Sequence, residues 1–136
     1  MIDIIQVEGV IWVLEEGGRN IFLQDCQDNG IDRMQRFELL DSIRDFSEAI
    51  THDQELLEKL IESGFLKKLN KQAKAQQYDL WEVRSDGKPY RVILIRVNPH
   101  IVIVAAVDKS KKSQKNAINR GVNRWKEFLK KEKKFP

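Results

Sequence analysis

The sequence predicts a single α+β domain spanning residues 1–136, with an N-terminal strand and helices, then an antiparallel three-stranded meander and a C-terminal helix. Two observations carry this prediction. Apolar residues recur at helical spacing before residue 64 and after residue 113, whereas three β-rich runs separated by turns lie between them. A chain of 136 residues has the usual length of one domain.

The N-terminal part begins with a predicted strand. Residues 2–14 are rich in Ile, Val and Trp and lead into a Glu-Glu-Gly-Gly turn at residues 15–18. Residues 19–28 fit either a short helix or a second hairpin strand across that turn, and we favour the helix.

Two further helices are expected next. One is amphipathic, because five apolar residues fall on one side of a helical wheel and acidic residues fill the other. These apolar residues are Leu39, Leu40, Ile43, Phe46 and Ile50. Thr51 and Gln54 have the spacing of a capping box, which predicts a third helix ending at Gly64. Residues 67–77 either extend that helix or form a surface connection.

The meander is predicted from strands at residues 78–84, 90–97 and 101–107. Turn sequences separate them, Ser-Asp-Gly-Lys in the first gap and Asn-Pro-His in the second. The last strand is apolar on both faces, which predicts a central position in a sheet covered on both sides.

A basic loop at residues 109–112 leads into the predicted C-terminal helix. Ile118, Val122, Trp125 and Leu129 form a narrow apolar stripe on this helix, which otherwise carries many cations. A lysine-rich, low-complexity tail follows at residues 130–134.

The composition argues against several classes of protein. Cys26 is the only cysteine, so an intrachain disulfide is excluded, and with His52 and His100 it offers too few ligands for structural zinc. The residue types leave a metal site made of carboxylates open, but no acidic loop has calcium spacing, so we expect no metal and no cofactor. The longest apolar run, residues 101–107, is far short of the ~20 residues that a membrane helix needs. The N-terminus lacks the features of a secretory signal, so a cytoplasmic location without membrane partners is expected.

Cys26 is expected to be a buried apolar filler and His100 a surface residue.

Charge is distributed unevenly along the chain. Residues 1–78 hold 9 basic and 15 acidic side chains and residues 79–136 hold 15 and 6, which together account for the 24 basic and 21 acidic residues. Clustered cations of this kind favour nucleic acid or an acidic protein as partner. A solvated surface is the alternative.

The hairpin between the first two meander strands indicates where cations meet. A type I′ turn centred on Asp86 and Gly87 would place Glu82 opposite Arg91, with Arg84 on the same face and Tyr90 on the other. The third strand returns to the same sheet end, which brings a lysine loop there. The lysines of that loop are Lys109, Lys111 and Lys112.

Such a cluster suits a phosphodiester, because arginines bind phosphate oxygens and stabilise the charge of a transition state. RNA cleavage through the 2′-hydroxyl needs only charge neutralisation and proton transfer, for which a lysine could act as base or a tyrosine as acid. Spacing alone equally allows Glu82 and Arg91 to be a simple cross-strand ion pair.

The order of these motifs resembles the HigB-like branch of the RelE/ParE toxin superfamily. The resemblance covers residues 78–125 and rests on Leu-Trp-Glu-Val-Arg at 80–84, Tyr-Arg-Val at 90–92 and Val-Asp-Lys-Ser-Lys-Lys at 107–112, followed by a helix with Ile118 and Arg120. It implies a RelE-like fold and a toxin of a type II toxin-antitoxin module, a metal-free endoribonuclease that cleaves messenger RNA on the ribosome. A cognate antitoxin, a HigA-like helix-turn-helix protein, would inhibit it.

By position, the resemblance implies catalytic roles for Arg84, Arg91 and Lys109. Tyr90 could substitute for the proton-transfer group that many relatives place near the carboxyl end, but the predicted register puts it on the face opposite the arginines. Further cations are candidates for binding RNA phosphates: Lys111, Lys112, Lys115, Arg120 and Arg124. The tail departs from many relatives because it offers neither Tyr nor His as an acid-base group. Two alternatives therefore stay open. One is a non-catalytic ParE-like toxin that binds DNA gyrase, and the other is a catalytically silent, phage-related interaction module.

Overall fold

A mixed β-sheet, to which both halves of the chain contribute, forms the centre of the computed structural model, which describes residues 1–69 and 77–131. Its strands are β1 (Ile2–Glu8), β2 (Ile11–Glu16), β3 (Arg19–Asn20), β4 (Leu66–Lys68), β5 (Asp79–Arg84), β6 (Tyr90–Val97) and β7 (His100–Asp108). The helices are α1 (Ile21–Asp28), α2 (Arg33–His52), α3 (Gln54–Glu62) and α4 (Gln114–Lys130). The α+β class is confirmed.

The strands lie in the order β1-β2-β7-β6-β5-β4, and β3 pairs with β2. The pair β2–β7 is parallel and the other pairs are antiparallel. β7 is central, and its residues from Ile101 to Asp108 are all buried. The prediction of a meander with a central last strand is therefore confirmed, although further strands extend the sheet on both sides of the meander.

Helices cover both faces of the sheet. Trp81 packs on Phe46 of α2, with ring centroids 5.1 Å apart. The adjacent residue Glu82 points to the opposite face, where it contacts Gln114 of α4. α4 then crosses towards β7, where Gly121 lies against Val104.

The N-terminal region differs from the prediction of one long strand. Gly9, with φ of +53°, turns the chain, so residues 2–14 contain β1 and the start of β2. After the Gly17–Gly18 turn the chain adopts both conformations that we considered, two residues of strand and then helix α1. The Asn20 side chain caps α1 by accepting from the backbone N–H groups of Phe22 and Leu23.

The amphipathic helix is confirmed as α2, but the predicted start of the third helix is wrong. Thr51 still belongs to α2, and Asp53 caps α3 by accepting from the N–H of Leu56. A carboxylate caps a helix N-terminus as well as a threonine hydroxyl does, so the sequence pattern fits an N-cap at either Thr51 or Asp53. Residues 67 and 68 belong to β4 rather than to a helix or a surface connection, and residues 70–76 lie outside the described residues.

The buried face of α4 is broader than the predicted stripe. Ile118, Val122 and Trp125 are buried, but Leu129 is 42% exposed and Phe128 is buried in its place. Ala117, Gly121 and Arg124 are buried as well, so the contact face is centred to one side of the predicted stripe and Leu129 lies near its edge. Of the lysine-rich tail, residues 132–134 lie outside the described residues.

Among residues 1–69 and 77–131, no helix is long and apolar enough to span a membrane.

Candidate functional site

The hairpin between β5 and β6 is longer than predicted, and its register differs. Arg84 lies directly opposite Arg91, and Glu82 lies opposite Ile93. Residues 85–89 form the loop, whereas the prediction assumed a two-residue turn. The shift moves the pairing by an even number of residues, so the faces are preserved. Glu82, Arg84 and Arg91 still share one face, and Tyr90 points to the other.

Arg84 and Arg91, called here the arginine pair, converge on the carboxylate of Glu82. Arg84 Nε donates to Glu82 Oε1 at 2.8 Å, and Arg91 Nε lies 3.4 Å from the same oxygen. The Glu82 side chain is fully buried, whereas those of Arg84 and Arg91 are 30% and 11% exposed. Two cations therefore share one anion, which leaves the cluster with a positive charge.

Gln114 holds the other side of this carboxylate. It is the first residue of α4, and its Nε2 donates to Glu82 Oε2. Both carboxylate oxygens are thus bound by protein donors, as the burial of a charge requires. The sequence contained a signal for Gln114, because it lies four residues before Ile118 and continues the buried stripe of α4 as a polar side chain.

Arg91 is bound more tightly to the protein than Arg84. Its Nη1 donates to the carbonyl oxygens of Lys88 and Tyr90, at 3.2 and 2.8 Å. Its Nε is buried near Glu82 but is not aligned for a hydrogen bond with any described residue. Burial lowers the pKa of Arg91 and the charge of Arg84 lowers it further, while Glu82 raises it. A guanidinium keeps its proton at neutral pH despite such a shift, so the cluster remains cationic.

The arginine pair faces an open groove of about 530 Å³. Residues 63–65 form one wall, and the loop of residues 85–89 forms another. Among the described residues, Arg84 Nη1 and Nη2 and Arg91 Nη2 make no recorded hydrogen bond. These three nitrogens can donate to an anion in the groove.

The lysine loop reaches the same end of the sheet, as predicted. The backbone N–H of Lys109 donates to Pro89 O at 2.9 Å, so the loop lies beside the β5–β6 hairpin. Asp108 shapes the loop, because its Oδ1 accepts from both the backbone N–H and the hydroxyl of Ser110. Lys109 and Lys112 are exposed, and so is Lys88, a cation of the hairpin loop that is not among the predicted site residues.

The ammonium of Lys111 is directed away from the arginine pair. Its Nζ lies 3.4 Å from Asn29 O and 3.9 Å from Asp108 Oδ2. Asn29 is the C-cap of α1, where the helix dipole favours a cation. Lys115 lies exposed in the first turn of α4.

Arg120 and Arg124 serve a different part of the molecule. Arg124 is buried and binds Asp25 through two hydrogen bonds, Nη1 to Oδ2 at 2.9 Å and Nη2 to Oδ1 at 3.0 Å. Arg120 Nη2 also reaches Asp25 Oδ2, at 3.2 Å. The structure therefore does not join these two arginines to the arginine pair, and Arg124 is withdrawn from solvent.

Asp25, Asn29, Arg120 and Arg124, called here the Asp25 cluster, form hydrogen bonds with backbone groups of β7 beyond the end of its pairing with β2. β2 pairs with β7 only as far as Ile103, and a β-bulge follows at Val104. Beyond it, Arg124 donates to Val104 O and Asp25 accepts from the N–H of Ala106. Further along, Arg120 donates to Ala106 O and Asn29 accepts from the N–H of Asp108. These side chains satisfy backbone groups that a neighbouring strand would otherwise pair.

The candidates for proton transfer and nucleophilic chemistry lie elsewhere. Tyr90 is half-buried on the opposite sheet face from the arginine pair. His100 begins β7 at the far end of the sheet, where it is half-buried and accepts from Trp12 Nε1 at 3.0 Å, so the expectation of a surface residue holds only in part. Cys26 is fully buried as expected, and burial raises the pKa of its thiol to about 12.

No group of three or more metal-ligating side chains occurs in the described portion of the chain. Comparison with protein-family models, curated proteins and solved structures returned no match.

Proposed function

We propose that this protein binds the phosphodiester backbone of RNA at the arginine pair and acts as a RelE-like toxin that cleaves messenger RNA on the ribosome. The observation that carries the proposal is the convergence of Arg84 and Arg91, from two strands, on one groove with unoccupied guanidinium nitrogens. Three exposed lysines, Lys88, Lys109 and Lys112, lie in the two loops at this end of the sheet.

The chemistry assigned to the groove is charge stabilisation. The 2′-hydroxyl of RNA attacks the adjacent phosphorus, the bond to the 5′-oxygen breaks, and a 2′,3′-cyclic phosphate forms with proton transfer from the attacking to the leaving oxygen. Guanidinium nitrogens from two strands can bind both non-bridging oxygens as their charge grows. Arg84 supplies the more accessible nitrogens, while Arg91 is fixed by its carbonyl contacts.

The resemblance to HigB-like toxins supports the biological setting: a type II toxin-antitoxin module in the cytoplasm, with a helix-turn-helix antitoxin as partner. A short neighbouring reading frame encoding such a protein would support this setting, and its absence would favour the silent interaction module.

A second candidate function is a ParE-like toxin that binds DNA gyrase without cleaving RNA. The observation that favours it is the position of Tyr90, which shares neither the face nor the groove of the arginine pair. Under this alternative the same cationic groove binds an acidic protein surface.

The test expresses the wild-type chain and single variants under tight control and maps RNA 5′ ends. We expect growth arrest with new ends inside translated codons, and a loss of cleavage of about 10²-fold or more in Arg84→Ala and Arg91→Ala. Arg96→Ala is the matched control, because Arg96 lies on the same strand as Arg91 but contacts Asp79 at the other sheet end.

Unchanged toxicity in both arginine variants would contradict the site assignment. Growth arrest with intact messages and blocked replication would instead favour gyrase.

A further inference from the structure

The buried carboxylate of Glu82 has two explanations with opposite consequences. If it merely neutralises the arginine pair, it weakens anion binding at the groove. If it orients the guanidinium groups, it strengthens binding despite its charge. The contacts of Glu82 favour the second explanation.

The first contact is with Arg84. A guanidinium can bind a carboxylate through its terminal nitrogens or through Nε, and here it is Nε that donates to Glu82 Oε1. Nε lies on the inner edge of the group, so this geometry holds Arg84 at its base. Nη1 and Nη2, which could bind two phosphate oxygens, are left for the groove.

Arg91 is oriented towards the same oxygen. Its Nε is the atom nearest Glu82, at 3.4 Å, and its Nη1 is taken by two backbone carbonyls. Nη2 is the nitrogen left for a ligand. The carboxylate therefore sits behind both guanidinium groups, between them and α4.

Gln114 fixes the carboxylate itself. By binding Oε2 from the first turn of α4, it leaves Oε1 for the arginine pair. The N-cap of this helix, Ser113, follows directly after the lysine loop. One helix start therefore determines both the carboxylate orientation and the end point of the loop.

We propose that Glu82, held by Gln114, is a positioning residue that orients Arg84 through a hydrogen bond and holds it beside the cation of Arg91 for a phosphate group. This inference rests on the proposed function, because phosphate is the ligand that RNA would present there. Neither residue touches the substrate, and both act through the arginine pair.

The test measures binding of a short 2′-O-methyl oligoribonucleotide, which cannot be cleaved, to the full chain. Glu82→Gln keeps the size of the side chain and adds one unit of positive charge to the site. We expect affinity about tenfold or more weaker, from the loss of charge-assisted hydrogen bonds. A role in neutralisation alone would make binding tighter, and that result would overturn the inference.

Gln114→Leu is the second variant, and it leaves the charge of the site unchanged. We expect weaker binding here as well, and unchanged affinity would contradict the role of Gln114. Asp79→Asn is the matched control. Asp79 lies on the same strand, and its loss changes the net charge equally, but it pairs with Lys68 and Arg96 rather than with the arginine pair.

A spectroscopic measurement separates failure of this inference from failure of the proposed function. In the wild type and in Asp79→Asn, the Nε–H of Arg84 should exchange slowly with water, and in Glu82→Gln and Gln114→Leu it should exchange faster. Equal exchange in all four proteins would overturn the positioning role whatever the protein binds.

If the wild type binds no RNA, the proposed function fails. Inorganic phosphate then tests the alignment: it should shift this resonance in the wild type and less in the two variants, and no shift in the wild type would overturn the alignment for phosphate.

Discussion

At the scale of single residues, the arginines of this protein divide into two kinds by what their guanidinium groups contact. Arg84 keeps two nitrogens for a groove, whereas Arg124 donates all its recorded hydrogen bonds to Asp25 and to a strand carbonyl. Position on a helix decided this for Arg124, because residue 124 falls on the buried side of α4. The residue type alone does not separate a ligand-binding arginine from one that supports the backbone.

The Asp25 cluster gives the first stability prediction. Asp25→Ala leaves Arg124 buried without its anion and removes the acceptor for the N–H of Ala106, so we expect the free energy of unfolding to fall by about 3–5 kcal/mol. Urea denaturation followed by circular dichroism measures it. Asp28→Ala is the control, since Asp28 is an exposed carboxylate of the same helix. Similar small losses in both variants would show that the cluster adds little to stability.

At the scale of elements, α4 connects the site to the core of the sheet. Its first residue binds Glu82 beside the arginine pair, and its middle lies against β7. Gly121 allows this close approach, because a Cβ at that position would lie 2.7 Å from Val104 Cγ2. A displacement of α4 would therefore disturb both the core and the carboxylate behind the arginines.

Gly121→Ala should reverse the usual effect of this substitution. In an exposed helix interior the change stabilises by up to about 1 kcal/mol, but the contact with Val104 should make it destabilising by about 1–3 kcal/mol. Thermal unfolding measures the change, with Asn123→Ala on the exposed face of α4 as control. Adding Val104→Ala should recover part of the loss, and a stabilised Gly121→Ala protein would contradict the packing argument.

In the complete fold, five of the cations from residues 79–136 come to one sheet end: Arg84, Lys88, Arg91, Lys109 and Lys112. β5 finishes there, β6 begins there, and β7 finishes there, so two loops and the arginine pair come together. Seven of the 15 acidic residues of 1–78 lie in α2 and α3, and α2 packs on the other face of the sheet.

This arrangement predicts a salt dependence that identifies which cations meet phosphate. We expect the logarithm of RNA affinity to fall linearly with the logarithm of salt concentration, and Arg84→Ala to reduce the slope by about 0.7, the contribution of one phosphate contact in single-stranded nucleic acid. Fluorescence anisotropy over a salt series measures it. Arg96→Ala on β6 should leave the slope unchanged, because Arg96 contacts Asp79 at the other end of the sheet. Identical slopes for all three proteins would place the phosphate contacts away from Arg84.

Local sequence patterns were enough to predict α2, α4, the three meander strands and the faces of the hairpin. Helical periodicity identified α2 and α4, turn residues bounded the meander, and the alternation of a strand placed Glu82, Arg84 and Arg91 on one face. That placement survived a wrong turn length because a shift by an even number of residues preserves the face. Patterns of this kind depend on neighbours within a few residues, which is why one chain is enough to predict them.

Contacts between residues far apart in the sequence determine which charges are paired and which are accessible to a ligand. Gln114 meets Glu82 across 32 positions, and Arg124 meets Asp25 across 99. Such contacts depend on how helices lie over the sheet, and helix placement follows from packing of the whole core rather than from any local pattern. Arg124 and Arg84 look alike in the sequence, yet burial beside an anion commits the first to the fold and leaves the second open to a ligand.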